Sequence, residues 1–159
     1  MKFREKHIIT VMMNYALNDR HHELIAPNNT LVFTWEADLL SVTRAGLIHE
    51  YEVKLNKSDF KADAKKVRKH QDLEFGWGPA YFWYVTFEFD IEPPKHAGWI
   101  LVSRVGENKD IWNVTVKVEA PRISTGHITD VQRSKIARSL SYIVRYGYSQ
   151  DLKREIRNG

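Results

Sequence analysis

Residues 31–56 read LVFTWEADLLSVTRAGLIHEYEVKLN, and their patterning decides the fold. Residues 31–42 and 47–56 are rich in β-branched and aromatic side chains and read as two strands. Between them, Thr43-Arg44-Ala45-Gly46 places a glycine where a hairpin turn wants one. Side chains alternate along a strand, so Glu36, Asp38 and Leu40 share one face, and on the returning strand Glu50, Glu52 and Lys54 share one face. Phe33, Trp35, Ala37 and Leu39, with Tyr51, Val53 and Leu55, take the other face. A turn closed by Val42 and Leu47, or a register differing by one, sets Asp38 opposite or nearly opposite Glu52. Stacked carboxylates repel one another unless a cation or the nearby lysine compensates.

Working outward, Ser58 suits the N-cap of a helix over about 59–70. Phe60, Ala64 and Val67 would share its inward face, and Lys61, Lys65 and Arg68 its outward one. Upstream, Ile8, Met12, Tyr15 and Ala16 have helical spacing over 8–20, and APNNT at 26–30 reads as a loop. Downstream, the aromatic run 81–89 suits a strand buried on both sides, and 91–96 is a proline-containing turn. Residues 98–105 and 111–120 read as two more strands separated by the polar turn GENKD. A last helix over about 128–147 sets Ile136, Leu140, Ile143 and Val144 on one face and Lys135, Arg138 and Arg145 on the opposite one. The order α, β, β, α, β, β, β, α, without repeat or linker, implies one α/β (α+β) domain spanning 1–159.

The chain has 159 residues, 43% of them hydrophobic and 28% charged, which excludes disorder and suits one domain. It holds no apolar stretch long enough to span a bilayer, and MKFREKH lacks the apolar region of a secretory signal, so the expectation is a cytoplasmic protein without a membrane partner. Cysteine is absent, which removes disulfides, thiolate metal sites and cysteine nucleophiles together. The net charge of +4 is concentrated: residues 61–70 carry five Lys/Arg against one Asp, and residues 133–157 carry seven against two acids. Solvated helix faces would account for both, and so would contacts to a nucleic-acid backbone.

Mg²⁺ takes hard oxygen ligands and is held by one or two carboxylates plus substrate phosphate. Asp38 and Glu52 can supply them, with the backbone carbonyl of Val53 as a third donor. Lys54, on the same face as Glu52, can orient an attacking water and neutralise charge on a phosphate oxygen. These groups suit phosphodiester hydrolysis.

An acid on one strand followed by Glu52-Val53-Lys54 on the next resembles the PD-(D/E)XK nuclease superfamily. More narrowly, Glu36-Ala37-Asp38, then Glu50-Tyr51-Glu52-Val53-Lys54, Ser58-Asp59-Phe60, Asp63 and Lys69-His70 resemble small phage and bacterial members carrying an EYEVK, SDF, D and KH series. Tyr81 to Val85, Pro93-Pro94 and Ala97-Gly98-Trp99 echo their later part. The resemblance implies a restriction-endonuclease-like αβββαβ core, a central mixed sheet flanked by helices. It implies Asp38 and Glu52 as metal ligands, Lys54 as the catalytic lysine, and Glu36 and Glu50 as auxiliary acids. The activity implied is Mg²⁺-dependent hydrolysis of DNA, with Mn²⁺ as a substitute, in a bacterial cell or phage-infected host. Ala37 stands where the superfamily motif has proline, which removes no ligand. The superfamily often has a further acid on its first helix, and neither Glu5 nor Glu23 can be matched to it.

Lys61, Lys65, Arg68, Lys69 and His70, with Lys135, Arg138 and Arg145 on the last helix, are the expected DNA-backbone contacts. Double-strand cutting would call for two sites related by symmetry, so a homodimer is one arrangement this reading allows. A rival keeps the fold without the cutting, as a DNA-binding accessory protein of replication or recombination. His21-His22 reads as a solvated helix end, because adjacent helical residues point about 100° apart and cannot jointly chelate. Asp59 and Asp63 read as helix-capping or lysine-pairing acids. The aromatic run reads as core, while Trp77, in a loop between Gly76 and Gly78, is the exception to test as a base-stacking ring.

Overall fold

The hairpin at the centre of the sequence forms strands β2 (Ala37–Val42) and β3 (Ile48–Lys54), paired antiparallel. Gly46 in the turn adopts φ +83°, which a side chain would resist, and a Cβ there would press on the His127 ring at 3.3 Å. The computed structural model describes residues 4–106 and 111–158. Most of the expected GENKD turn, at 107–110, lies outside the described residues.

Through Ile128 the chain forms one compact unit. Helix α1 (Glu5–Asn14) continues into a π-helical turn at Tyr15–Asp19, then come β1 (Leu24–Asn29), β2 and β3. Helices α2 (Lys57–Asp63) and α3 (Val67–Glu74) cross over to β4 (Tyr81–Phe87), followed by β5 (Ala97–Arg104) and β6 (Trp112–Val118). The six strands lie side by side in chain order, β1 to β6. β1, β2 and β3 form an antiparallel meander, β3–β4 and β4–β5 are parallel, and β6 returns antiparallel. A second unit, from Thr129 on, consists of the long helix α4 (Asp130–Asn158).

Alternation on the central strands divides the core. Tyr51, Val53, Trp83, Val85, Ile100 and Val102 pack with Ile8, Ile9, Met12 and Ala16 of α1 and the turn after it. On the opposite face, Phe82, Tyr84 and Ala97 pack with Leu73 of α3. Glu50, Glu52 and Lys54 point to that second face, so their polar groups lie between the sheet and the crossover helices.

Three expectations change. The loop expected at 26–30 is largely strand β1: Pro27 lacks an N–H, but β1 is an edge of the sheet, where a missing donor is tolerated. The Asn29 side chain then accepts the Leu31 amide at 3.0 Å, which turns the chain out of β1, so residues 31–36 form no strand. Trp35 therefore leaves the face predicted for it and donates its indole N–H to Glu50.

The helix expected over 59–70 is broken in two. Asn56, rather than Ser58, caps α2 by accepting the Asp59 amide at 2.9 Å. The break at 64–66 resets the helical phase. In one unbroken helix Asp63 and Lys69 would point about 120° apart, whereas here both turn inward and are buried. Ala64 and Val67, expected to face the core, are exposed instead.

Candidate active site

At the carboxyl end of β3, buried acids and lysines interlock. Glu52 Oε1 accepts from Lys54 Nζ at 2.8 Å and from Lys66 Nζ at 3.2 Å, and Oε2 accepts from Lys69 Nζ at 2.8 Å. Lys69 also reaches Glu50 at 2.8 Å, where Trp35 donates to both carboxylate oxygens at 3.0 and 3.1 Å. The Lys69 ammonium lies over the Phe82 ring, 5.0 Å from its centroid, which helps to make its burial tolerable. Asp63 closes the cluster from α2. Its Oδ1 meets Lys54 at 3.2 Å and Lys66 at 2.9 Å, while Oδ2 accepts from the Tyr84 hydroxyl at 2.6 Å. His70 Nε2 stands 3.3 Å from the same Oδ2. Its Nδ1 stands 3.1 Å from His96 Nε2.

Asp38 completes the arrangement from β2. The ladder sets Leu39 opposite Tyr51 and Leu40 opposite Glu50, which brings Asp38 to the level of Glu52. Its Oδ2 accepts the Val53 amide at 2.7 Å, and among the described residues its Oδ1 has no hydrogen-bond partner.

The electrostatics divide these acids by surroundings. Burial, then the charge of Glu52, pushes the Asp38 carboxyl up to about 7. Glu52 is held below its usual range: burial works against the charge, but Lys69 and Lys54 outweigh it. Asp63 is held far below its usual range, its burial outweighed by hydrogen bonds from His70, Lys66 and Tyr84. Burial raises Glu50, with the Lys69 charge in opposition. Lys54 and Lys69 stay well charged despite burial, because the carboxylates hold their protons. Desolvation and the charges of Asp59 and Glu52 raise Glu5, in the first turn of α1. Glu5 is thus the first-helix acid that feels this cluster, whereas Glu23 faces Arg44 at 3.9 Å.

The structure brings Asp38, Glu50, Glu52 and Lys54 together. Glu36 lies before β2, exposed on the wall of an adjoining groove. Among the expected DNA contacts, Lys61, Lys65 and Arg68 are exposed, as are Lys135, Arg138 and Arg145 on α4. Lys69 is not free to meet a phosphate, since it is buried on Glu50 and Glu52, and His70 is half-buried against Asp63 and His96. His22 is no solvated helix end: it is buried, with Nδ1 2.6 Å from the Ser41 hydroxyl. Sequence reasoning paired Asp63 with Lys66, as observed, but missed its contact with Lys54. It left Lys66, Tyr84 and Trp35 outside the site altogether. Lys69 was marked by the Lys69-His70 pair of the motif series, whereas for Lys66 the one signal was a lysine spacing that also fits a solvated face.

Among the described residues, no three His, Cys, Asp or Glu side chains are arranged to hold a metal ion. Of the two carboxylates a cation would need, Asp38 has an oxygen without a hydrogen bond, and the mutual repulsion of Asp38, Glu52 and Glu5 is what a divalent charge would relieve, whereas both Glu52 oxygens are engaged by lysines. Val53 is placed between the two carboxylates, its amide already fixed on Asp38.

No family model matches the chain, and no curated protein matches it. A solved structure from Silicibacter pomeroyi, of a protein of unknown function, is similar over 96% of each chain, with a TM-score of 0.62 and 16% identity. Likeness at that identity concerns the fold alone, and the chain is an α+β protein whose six-stranded mixed sheet is flanked by helices.

Proposed function

We propose that this chain is a metal-dependent deoxyribonuclease of the PD-(D/E)XK type, hydrolysing phosphodiester bonds in DNA. The observation that carries the reading is the convergence of Asp38, Glu52 and Lys54 on two neighbouring strands, with Lys54 fixed between Glu52 and Asp63. Asp38 and Glu52, with the Val53 carbonyl, would hold Mg²⁺ or Mn²⁺. When bound, the cation supplies Lewis-acid stabilisation of the phosphate and a nucleophile at neutral pH. Lys54 orients the attacking water and neutralises charge building on a phosphate oxygen. Asp63 and Tyr84 are positioning residues: the hydroxyl holds the carboxylate, and the carboxylate holds the ammonium. The chain order of helix, three-strand antiparallel meander, crossover helices and parallel strand supports the reading, because it agrees with the αβββαβ core that the motif implies.

Cleavage of labelled DNA by wild type, Asp38→Asn and Lys54→Ala, with Mg²⁺, Mn²⁺ or EDTA, tests it. Metal-dependent cutting should fall at least about a hundredfold in both variants, the scale of losing one group that stabilises a transition state. Variants that cut as well as wild type would overturn the assignment.

One observation favours a second reading. Both Glu52 oxygens are already taken by three ammonium groups, which neutralise the acid without a metal. A DNA-binding accessory protein on the same fold would retain DNA regardless of Mg²⁺ and of these substitutions.

A further inference from the structure

Beside the acid and lysine cluster lies a groove of about 710 Å³. Trp35 and Glu36 form one wall, and Lys65, Lys66 and Arg68 the other. Its inner end is set by Lys66 and Lys69, whose ammonium groups rest on Glu52. Asp72, one turn of α3 beyond Arg68 and Lys69, also lines the groove, and its carbonyl accepts the Trp77 amide at 2.8 Å. There the chain presents two aromatic rings to solvent: Phe75 is 74% exposed and Trp77 is 68% exposed, with centroids 6.0 Å apart.

These rings do not sit on a loose loop. Gly76 has φ +78°, and a Cβ on it would come within 2.8 Å of the Ile123 carbonyl oxygen, so the turn is tight as well as left-handed. The Ser124 hydroxyl meets the carbonyls of Gly78 and Pro79 at 3.0 and 2.8 Å. Two large apolar side chains are thus held in water by a fastened turn that directly follows α3, the helix whose Arg68, Lys69 and Asp72 line the groove.

A partner that combines anionic charge with exposed planar faces would cover the flat apolar rings and also satisfy Lys65 and Arg68. Nucleic acid has both, but in a duplex the base faces are stacked on one another and out of reach. Unpaired bases stack on aromatic side chains irrespective of sequence, while basic residues follow the backbone. Glu36 shares the Trp35 wall, which places the phosphate track along Lys65 and Arg68 on the opposite one.

We propose that the site takes an unpaired single strand of DNA, with bases stacking on Phe75 and Trp77 and phosphates following Lys65 and Arg68 towards Glu52. The proposal rests on the nuclease reading for what happens to the strand, and on the groove for which strand is taken.

The test is fluorescence anisotropy of labelled oligo(dT) and of a duplex of equal length, in EDTA so that binding is read without cutting. Wild type should prefer the single strand about tenfold or more, and Phe75→Ala/Trp77→Ala should lose about tenfold on the single strand while leaving duplex affinity unchanged. Lys65→Ala/Arg68→Ala should weaken both and flatten the salt dependence. Equal affinity for the two DNAs, an aromatic variant that binds the single strand like wild type, or no DNA binding would each overturn the proposal. Metal-dependent cutting is scored separately with Lys54→Ala. Cutting that persists without a single-strand preference removes the substrate class and leaves the nuclease, whereas aromatic-dependent binding without any cutting removes the nuclease and leaves the stacking site.

Discussion

Strand β3 carries buried polar side chains on both faces and satisfies them in opposite ways. On the face towards α2 and α3, Glu52 and Lys54 are held as ions at 2.8 Å from one another, and Glu50, raised by burial, meets the Lys69 ammonium at the same distance. On the face towards α1, His49 and its neighbour His22, ring centroids 4.6 Å apart, are kept neutral. Burial lowers His49 to about 3 and His22 to about 4. Trp83 donates to His49 Nδ1 at 3.1 Å, so that nitrogen must be an acceptor. Burying a charge is expensive, and losing it by deprotonation is the cheaper solution when nothing requires the ion. The difference teaches where to look for chemistry: one face retains a costly set of ions, whose replacement by apolar groups is often neutral or stabilising, while the other has discarded its charge.

The largest effect should come from breaking the ionic face. Lys69→Met leaves Glu50 and Glu52 short of a counter-charge in a dry site, and should cost about 3–5 kcal/mol in urea unfolding, the scale of uncoupling a buried ion pair. Adding Glu50→Leu should recover part of the loss. A cost near that of a surface pair, about 1 kcal/mol or less, would show that the cluster is wetter than its burial implies.

The imidazole face should respond to pH instead. Its folded values lie below the unfolded value of about 6.5, so the unfolded chain binds more protons between them. Stability from this face is therefore complete above about pH 6.5 and is lost as pH falls towards 4 for His22 and 3 for His49. For His22 the full loss is roughly 3 kcal/mol. Asp38, raised to about 7, acts with the opposite sign over part of that window, so the slope should be read in an Asp38→Asn background. Asp63 and Glu52, held below their usual values, contribute stability that is present above about pH 4 and lost only below it. Unfolding free energies at pH 7, 5.5 and 4.5 should fall in that background and fall less steeply in His22→Gln, where His49 still titrates. A flat profile before that substitution would contradict the neutral imidazole pair.

The smallest effect probes the join between the ionic cluster and the sheet. Tyr84→Phe removes one hydroxyl from Asp63 and should cost about 1–2 kcal/mol of stability. If Asp63 positions Lys54, DNA cleavage should fall at saturating DNA with little change in the KM for DNA. A rise in KM alone would make Tyr84 a purely structural or binding residue.

Much of the site was legible because its signals are local. The glycine turn and strict alternation placed Asp38 level with Glu52 and put Lys54 on the same face. Pro27 and the asparagines after it read as a loop, because only pairing along a sheet edge makes them a strand. The basic residues of 61–70 read as one outward stripe available to a DNA backbone, because helical periodicity assumes an unbroken helix. Once the chain breaks at 64–66, Lys69 belongs to the buried site while Lys65 and Arg68 remain outside.

The sequence by itself determined the hairpin, the spacing of its acids and lysine, and the absence of thiol chemistry, since each follows from residue type and a period of two. Only the tertiary structure decided which charges are buried together. Two of the three lysines on Glu52, Lys66 and Lys69, lie on another turn of chain, and a lysine becomes part of a buried site only when packing removes the water that would otherwise solvate it.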